Sequence, residues 1–437
     1  MNIDDIIESI DSNNLNIAFG RVVNISAVTL SAVGLDVAVG DIVRIESVQK
    51  LYTVLGMVTV LNDDMFVIVP FSFIDGFKIN DKVFLQRDGL TIKCGNGLLG
   101  RVVNALGEPI DDLGKIRDLD TNAPINKESM SPLDRGIIDQ KFATGVKAID
   151  SMLTCGKGQK VGIFAGSGVG KSTLMGMIVQ GCEATIKVIA LVGERGREIP
   201  EFIHYNLNNN LENTVIVTAT SDESPLMRKY AAFTAMSIAE YFRDKGHDVL
   251  LMMDSVTRFA MAQREIGLST GEPPVSRGYP PSVFALLPQL MERAGNSKKG
   301  SITAFFTVLV DGDDLNDPIA DQSRSILDGH IVLTRDLTEQ GFYPPINILK
   351  SASRVIDKVV TKEHYNDFLK LKRVLSLIKE NEVLIRVGAY KKGMDLELDS
   401  AIAKKEKARE FLTQGTLEKY SFDEIVANLR KVLIWYH

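Results

Sequence analysis

Apolar runs alternate with helical stretches through the middle of this 437-residue chain. The runs are rich in Val, Ile and Leu, and the stretches at 171–182 and 225–245 have helical periodicity. Strands that are apolar along their whole length and are separated by helices indicate a parallel sheet buried on both faces. The runs begin at residues 161 (VGIFAG), 188 (VIALVGE), 214 (TVIVTAT), 249 (VLLMMDS), 302 (ITAFFTVLV) and 329 (GHIVLTR).

The two ends of the chain follow other patterns. From about residue 16 to 85 the apolar runs are short and are interrupted by Gly, Asn and Asp about every 8 to 12 residues, which is typical of a small β-barrel or sandwich. After about residue 360 periodic Leu, Ile and Val among many Lys and Glu predict helices. We therefore predict an α/β protein with an N-terminal β-barrel (1–85), a central domain with a mostly parallel sheet (86–360) and a C-terminal helical domain (361–437).

The first twelve residues predict a short amphipathic helix in front of the barrel. Ile3, Ile6, Ile7 and Ile10 stand at helical spacing. Two interpretations stay open: the helix packs on the next domain, or it docks on a partner or a membrane surface. Acidic residues stand where a signal peptide carries basic ones, so we expect no export of the chain itself.

Composition narrows the class of protein. Lys and Arg number 50 against 56 Asp and Glu, a net charge of −6, which argues against a chain-wide basic surface for nucleic acid. Cys94, Cys155 and Cys182 are too widely spaced for a metal pair or a disulfide framework, which fits a reducing cytosol. The longest nearly apolar run, Ile302–Val310, is far shorter than the roughly 20 residues of a membrane span. We expect a cytoplasmic protein.

A glycine-rich loop follows the first apolar run. VGIFAGSGVGKST (161–173) matches the phosphate-binding pattern Gly-x4-Gly-Lys-Ser/Thr, with Ala165 in the first Gly position. Glycines let backbone N–H groups approach phosphate oxygens, and the helix that follows adds its positive dipole end. In this motif the Lys171 ammonium reaches the phosphates and the Ser172 hydroxyl ligates Mg²⁺. The candidate nucleotide-binding residues are Gly166, Ser167, Gly168, Val169, Gly170, Lys171, Ser172 and Thr173.

Two carboxylates end other apolar runs. Asp254 closes VLLMMD, and ligands of α/β sheets bind at such strand ends, so we predict that Asp254 holds Mg²⁺ through water. Glu194 closes VIALVGE and is a candidate to polarise the water that attacks a γ-phosphate. Its alternative is simple ion pairing with Arg195 or Arg197.

The arginines and two loops are harder to place. Arginines such as Arg258 and Arg354 can stabilise the charge of phosphoryl transfer, but nothing in their spacing shows that they reach a site, so the residues alone favour a solvated surface. The Pro-dense stretch 271–282 predicts a loop. The acidic stretch 311–318 lacks the spacing of an EF-hand and predicts a second, turn-rich loop.

Longer segments carry a family resemblance over nearly the whole chain. The chain resembles the hexameric ATPases of the rotary ATP synthase superfamily and, within it, the export ATPases of type III secretion, specifically the flagellar one. The segments include GLLGRVVNALGEPID (97–111), TGVKAIDSMLTCGKGQKVGIFAGSGVGKST (144–173), GERGREIPEF (193–202), SDESPLMRKYAAFTAM (221–236) and YPPINILKSASRV (343–355).

The resemblance implies a RecA-like central domain and a homohexameric ring with nucleotide at the subunit interfaces. It implies that Glu194 is the catalytic carboxylate, that Arg195 and Arg258 are site arginines, and that Arg354 is an arginine finger supplied in trans. It also implies that loops 271–282 and 311–318 face a central stalk protein in the ring. The N-terminal segment matches the region that docks a stator-like regulator and contacts the membrane.

The function implied is Mg²⁺-dependent ATP hydrolysis that releases export substrates from chaperones and drives them to the export gate. The ATPase then works as a peripheral protein at the cytoplasmic face of the inner membrane. A virulence-injectisome ATPase remains an alternative. A catalytic subunit of an ATP synthase is disfavoured because DLELDS (395–400) only superficially resembles the Asp-Glu-Leu-Ser-Glu-Glu-Asp run of that subunit.

Two further classes stay open on the residues alone. An RNA-translocating hexamer is disfavoured because Phe19, Tyr52 and Phe66 do not suggest an aromatic and basic stacking surface, and the net charge is negative. A pure scaffold predicts that Glu194→Gln leaves function intact. We expect no nucleic-acid partner.

Overall fold

The computed structural model describes residues 18–47, 52–86, 89–310, 314 and 316–434. The helix predicted at 1–12 lies outside the described residues. The strands are β1 (Gly20–Ile25), β2 (Leu30–Val33), β3 (Ile42–Glu46), β4 (Thr53–Asn62), β5 (Met65–Pro70), β6 (Lys82–Gln86), β7 (Thr91–Cys94), β8 (Val102–Val103), β9 (Thr121–Pro124), β10 (Lys141–Phe142), β11 (Cys155–Gly156), β12 (Lys160–Ala165), β13 (Ile186–Glu194), β14 (Thr214–Thr220), β15 (Asp248–Asp254), β16 (Gly295–Asn296), β17 (Ser301–Leu309), β18 (Gly329–Val332) and β19 (Ala352–Ser353).

The helices connect the central strands and then form the C-terminal part. They are α1 (Lys147–Met152), α2 (Lys171–Gly181), α3 (Glu198–Glu201), α4 (Pro225–Asp244), α5 (Val256–Ser269), α6 (Pro281–Met291), α7 (Pro318–Ile326), α8 (Arg335–Glu339), α9 (Ile356–Val359), α10 (Lys362–Glu380), α11 (Glu382–Arg386), α12 (Leu396–Leu412) and α13 (Phe422–Ile434).

The N-terminal strands close into an antiparallel barrel. Strands β1, β2, β5, β4, β3 and β6 pair in that order around the barrel. Alternate residues point inward, and Val22, Val43 and Val83 are fully buried, because successive side chains of a strand point to opposite faces. The predicted barrel is confirmed.

Basic and aromatic side chains interleave on the outer face of this barrel, which the sequence analysis did not expect. The guanidinium of Arg44 lies 5.0 Å from the ring centre of Phe84. Arg21 and Lys82 lie 5.3 and 4.8 Å from that of Phe19. Each of these basic side chains therefore forms a cation–π pair with an aromatic ring of the barrel itself.

A nine-stranded sheet forms the centre of the molecule. Its strands run in the order β19, β18, β12, β17, β15, β13, β14 and β8, with β16 paired to β17. Among the described strands of this sheet, only β16 and β19 are antiparallel to their neighbours. Every residue of β12 is buried, as expected for a strand covered on both faces. The predicted mostly parallel sheet is confirmed.

The register of this sheet brings three strand ends to one edge. Leu191 of β13 pairs with Asp254 of β15, and Ala165 of β12 pairs with Leu309 of β17. Strands β12, β13 and β15 therefore deliver the glycine-rich loop, Glu194 and Asp254 to the same carboxyl edge. Such an edge is where open α/β sheets bind ligands.

The C-terminal helices pack against the central domain rather than standing apart. Leu174 and Ile178 of α2 belong to the same apolar core as Leu371 of α10 and Phe411 of α12. The predicted C-terminal helices are confirmed, and they share a core with the helix that follows the glycine-rich loop. In the described part of the chain, no helix combines the length and the apolar character that a membrane crossing requires.

The two predicted loops are shorter than expected at their C-terminal ends. Pro281 begins α6 and Pro318 begins α7, because proline suits the first turn of a helix, where its missing N–H costs nothing. The side chain of Asp317 caps α7 through the N–H groups of Ile319 and Ala320. Residues 311–313 and 315 of the acidic loop lie outside the described residues.

Candidate nucleotide-binding site

The glycine-rich loop joins β12 to α2 at the carboxyl edge of the sheet. Gly170 precedes the first residue of α2 with a φ of 95°, a left-handed conformation that glycine adopts without strain. The first turn of α2 has backbone N–H groups without an intrahelical partner, and no acidic side chain lies in that turn. The loop thus offers an anion-binding helix start.

Lys171 is the centre of a charged cluster above this loop. Its Nζ lies 2.5 Å from Oδ1 of Asp254 and 3.6 Å from Oε1 of Glu194. All three side chains are largely buried, with exposed fractions of 13%, 5% and 15%. Removing charges from water is costly unless they are paired, so the two carboxylates hold the ammonium in place.

A β-bulge turns Glu194 toward Lys171. The pairing of β13 with β14 shifts register between Val192 and Glu194, and Gly193 has a φ of 70°. A Cβ on Gly193 would lie 3.0 Å from the Cβ of Arg258. Glycine therefore serves both the backbone conformation and the close approach of α5 at this position.

The cluster shifts the pKa values of its members. Burial and the nearby charge of Asp254 raise the pKa of Glu194 to about 7, against the opposing effect of Lys171. Burial lowers the pKa of Lys171, but the charges of Asp254 and Glu194 outweigh it and leave that pKa above its ordinary value. Lys171 thus stays a cation, while Glu194 titrates near neutral pH.

The hydroxyl of Thr307 completes the surroundings of Asp254. Its Oγ1 donates to Oδ1 of Asp254 over 2.7 Å from the neighbouring strand β17. Asp254 is joined to Ser255 by a cis peptide bond. Sequence reasoning did not single out Thr307, because only the pairing of β15 with β17 brings it beside Asp254.

The three candidate arginines occupy different places. Arg258 lies beside Gly193, and its Nε is buried with no hydrogen-bond partner in the described part of the chain. Arg195 is mostly exposed and pairs with Glu198 at 3.7 Å. The expected alternative pairing of Glu194 with Arg195 is thus replaced by pairing with Lys171.

Arg354 lies at the opposite edge of the sheet. Its N–H donates to the carbonyl of Asp328, whose own N–H donates to the carbonyl of Lys160, the first residue of β12. The glycine-rich loop begins after the last residue of β12. At about 3.3 Å per residue the length of this strand, roughly 17 Å, separates the two. The structure therefore does not bring Arg354 to the Lys171 cluster of its own chain.

A segment that sequence reasoning missed, residues 334–345, lines the glycine-rich loop. Arg335 donates to the carbonyl of Ser167 over 3.3 Å, and Thr338 Oγ1 to that of Val169 over 3.4 Å. The ring of Tyr343, 40% exposed, stands 3.8 Å from where a Cβ on Gly170 would lie. The run Tyr343-Pro344-Pro345 was the signal in the sequence that could have identified this segment.

The oxygen atoms of the site suit a hard cation. The Ser172 side chain is exposed at the start of α2, and both hydrogen bonds to Asp254 fall on Oδ1. Within the described ranges no three His, Cys, Asp or Glu side chains group so that they could hold a metal ion. This donor set fits Mg²⁺, which takes one or two protein oxygens and completes its shell with phosphate oxygens and water.

Comparisons with known proteins identify two family models that match this chain. Residues 145–353 match the model of the nucleotide-binding domain of the ATP synthase alpha/beta family. Residues 360–431 match the T3SS EscN ATPase C-terminal domain. The flagellum-specific ATP synthase of Helicobacter pylori strain J99 is 57% identical over 416 residues, which are 95% of this chain and 95% of that protein.

Two solved structures are also similar. One is the assembled ATPase EscN from the enteropathogenic E. coli type III secretion system, with a TM-score of 0.91, 46% identity, and coverage of 95% of this chain and 100% of that one. The other is assembled EscN in complex with its central stalk EscO, with a TM-score of 0.88, 45% identity and the same coverage.

Proposed function

The chain belongs to the flagellum-specific and type III secretion ATPases of the ATP synthase alpha/beta family, and from this premise we propose that it hydrolyses ATP with Mg²⁺ to energise flagellar protein export. The observation that carries the proposal is the Lys171 ammonium held between Asp254 and Glu194 directly above the glycine-rich loop.

The phosphates of ATP bind the loop and the start of α2. The backbone N–H groups and Lys171 neutralise the β- and γ-phosphates. Bound Mg²⁺, held by Ser172 and through water by Asp254, supplies charge that stabilises the phosphates during transfer. Tyr343 offers its exposed ring face as one wall for the base.

Glu194 acts on the attacking water. The ionised carboxylate accepts a hydrogen bond from that water, whose oxygen bonds to the γ-phosphorus as the bond to ADP breaks. The buried Nε of Arg258 has no hydrogen-bond partner among the described residues and is available to a bound phosphate. We assign Arg258 and the exposed Arg195 to phosphate contacts at the same site.

The position of Arg354 supports the assignment of a homohexameric ring. Because Arg354 lies across the sheet from its own loop, its guanidinium serves the site of a neighbouring subunit, as in a closed heterologous ring. The side chain of Arg354 is exposed, and its Nη2 donates a long hydrogen bond of 3.4 Å to the carbonyl of Arg324. The guanidinium can therefore turn toward a neighbouring subunit at the cost of this weak bond.

A central stalk protein contacts this ring through two loops. Arg277 joins them, since its guanidinium lies 3.0 Å from Asp314 and 3.8 Å from Asp317. EscN has been solved with its central stalk EscO, which supports a stalk partner here.

We further assign residues 1–85 to the barrel, 86–360 to the ATPase domain and 361–437 to the helical domain. We assign the N-terminal segment to the binding of a stator-like regulator.

Flagellar export is favoured over an injectisome by sequence identity. The flagellar relative is 57% identical, against 46% and 45% for the two EscN structures. The ATPase then acts at the cytoplasmic face of the inner membrane, where it frees export substrates from chaperones and passes them to the export gate.

One strain tests this proposal. In the organism that carries the chain, Glu194→Gln should abolish motility and leave any secretion into host cells intact, while the purified variant still binds ATP. Normal motility with abolished hydrolysis would overturn the export function. Loss of host-cell secretion instead of motility would indicate the injectisome.

A further inference from the structure

Gln414 joins three parts of the molecule just after α12. The residue is 3% exposed. Its side-chain Oε1 accepts from the N–H of Lys147 over 2.8 Å, and its Nε2 donates to the carbonyl of Gly145 over 2.9 Å. Its backbone N–H donates to the carbonyl of Tyr343 over 2.8 Å. The side-chain oxygen, the side-chain nitrogen and the backbone N–H of Gln414 thus all bond to the central domain.

The Tyr343 contact leads to the glycine-rich loop. Segment 334–345 touches that loop through Arg335 and Thr338, and the ring of Tyr343 flanks Gly170. Arg409 of α12 adds a second tie to this segment, because its guanidinium donates to the carbonyl of Gln340 over 3.0 Å. The segment therefore lies between the C-terminal helices and the phosphate end of the site.

The side-chain contacts lead to the far end of α2. Gly145 lies against Gly181, the last residue of α2, so closely that a Cβ on Gly145 would come within 2.9 Å of the Gly181 Cα. Lys147 is the first residue of α1, whose N-cap Val146 has no capping side chain. Gln414 therefore supplies the cap that the N–H of Lys147 needs.

We propose that Gln414 is a positioning residue that couples the C-terminal helices to ATP binding by holding the Tyr343 segment against the glycine-rich loop. The inference rests on the proposed function, since it concerns the same site. When the C-terminal helices shift, Gln414 carries Tyr343 and the turn at 145–147 with it. The main effect falls on the nucleoside part of ATP, because the ring of Tyr343 moves, whereas Lys171 in the phosphate cradle is held separately by Asp254 and Glu194.

The amide is the only common side chain that serves both side-chain contacts at this length. Its Oε1 accepts a hydrogen bond from the N–H of Lys147, and its Nε2 donates to the carbonyls of Gly145 and Glu418. Gln414→Glu places a carboxylate oxygen against two carbonyl oxygens, and Gln414→Met keeps the volume but removes both bonds. The same Gln→Glu change at Gln289, exposed on α6 and outside the Tyr343 segment, is the matched control.

Calorimetry on the full chain separates the effects. For both Gln414 variants we expect ATP to bind about tenfold more weakly, the loss that one or two buried hydrogen bonds bring. Inorganic tripolyphosphate should bind as to the wild type, kcat should change less than about twofold, and Gln289→Glu should behave as the wild type. Equal weakening of ATP and tripolyphosphate, or unchanged ATP binding in folded Gln414→Met, would overturn the proposal.

The wild-type chain gives an independent test that needs no variant to fold. Coupling is reciprocal, so ATP should slow amide hydrogen exchange over residues 413–418, and tripolyphosphate should not. Unchanged exchange on ATP binding contradicts the proposal for Gln414. Absent hydrolysis by the wild type contradicts instead the proposed function, because these binding measurements do not depend on turnover.

Discussion

Lys171 and Arg354 are both basic residues assigned to one reaction, yet their surroundings are opposite. Lys171 is buried between two carboxylates, one 2.5 Å away. Arg354 is exposed on the far edge of the same sheet, and its guanidinium contacts a backbone carbonyl. Lys171 is thus held in position within the single chain, whereas the role proposed for Arg354 requires a neighbouring subunit.

This difference indicates how the work is divided between subunits. A preorganised charge stabilises a transition state without reorganisation at the moment of reaction. A charge supplied across an interface makes turnover depend on assembly. Under the proposed function, one chain binds the phosphates by itself, and rapid hydrolysis requires the ring.

The largest effect is expected from Arg354→Ala. Loss of the trans charge should lower kcat by about 10³ to 10⁵, with ATP binding by the single chain unchanged, as measured by steady-state kinetics and calorimetry. Mixing Arg354→Ala with Lys171→Ala subunits should restore part of the activity, because intact sites form where a Lys171→Ala subunit donates Arg354. Mixed rings that stay inactive would contradict the trans assignment.

Glu194→Gln should have the next largest effect. The amide cannot polarise water as a carboxylate does, so kcat should fall about 10² to 10⁴-fold, while the dissociation constant for ATP stays within a few-fold. Single-turnover assays and calorimetry measure the two quantities. If ATP binding is lost instead, the main role of Glu194 is to hold Lys171 rather than to act on water.

The pH profile sharpens the role of Glu194 further. Its pKa of about 7 means that the carboxylate needed for catalysis is protonated at lower pH. We expect kcat/KM of the wild type to fall about tenfold per pH unit below that value and to level off above it. Glu194→Gln should lack this acidic limb. The same limb in the variant would assign it to another group.

A smaller effect is expected from Thr307→Val. The change removes the hydroxyl that donates to Asp254 and leaves a buried carboxylate with one partner fewer, so kcat/KM should fall about tenfold. Thr218→Val, on strand β14 of the same sheet, is the matched control, because its buried Oγ1 has no hydrogen-bond partner among the described residues. Equal effects of both changes would mean a general loss of packing.

Features set by local sequence were predictable here. The barrel, the mostly parallel sheet and the C-terminal helices follow from hydrophobic periodicity, which is a property of neighbouring residues. The two predicted loops extended too far, by two residues at Pro281 and by one residue at Pro318, where helices already begin. The reason is that proline suits both a turn and the start of a helix.

The sequence by itself determined the phosphate loop, because glycine spacing and the following helix act within a dozen residues. It also named Glu194 and Asp254, since each ends an apolar strand. Only the tertiary structure decided which of these groups meet. The contacts of Thr307 with Asp254 and of Gln414 with Gly145 span 53 and 269 residues, and the edge that Arg354 occupies depends on strand order. Such contacts depend on how strands and helices pack against each other, and short sequence patterns carry no information about that packing.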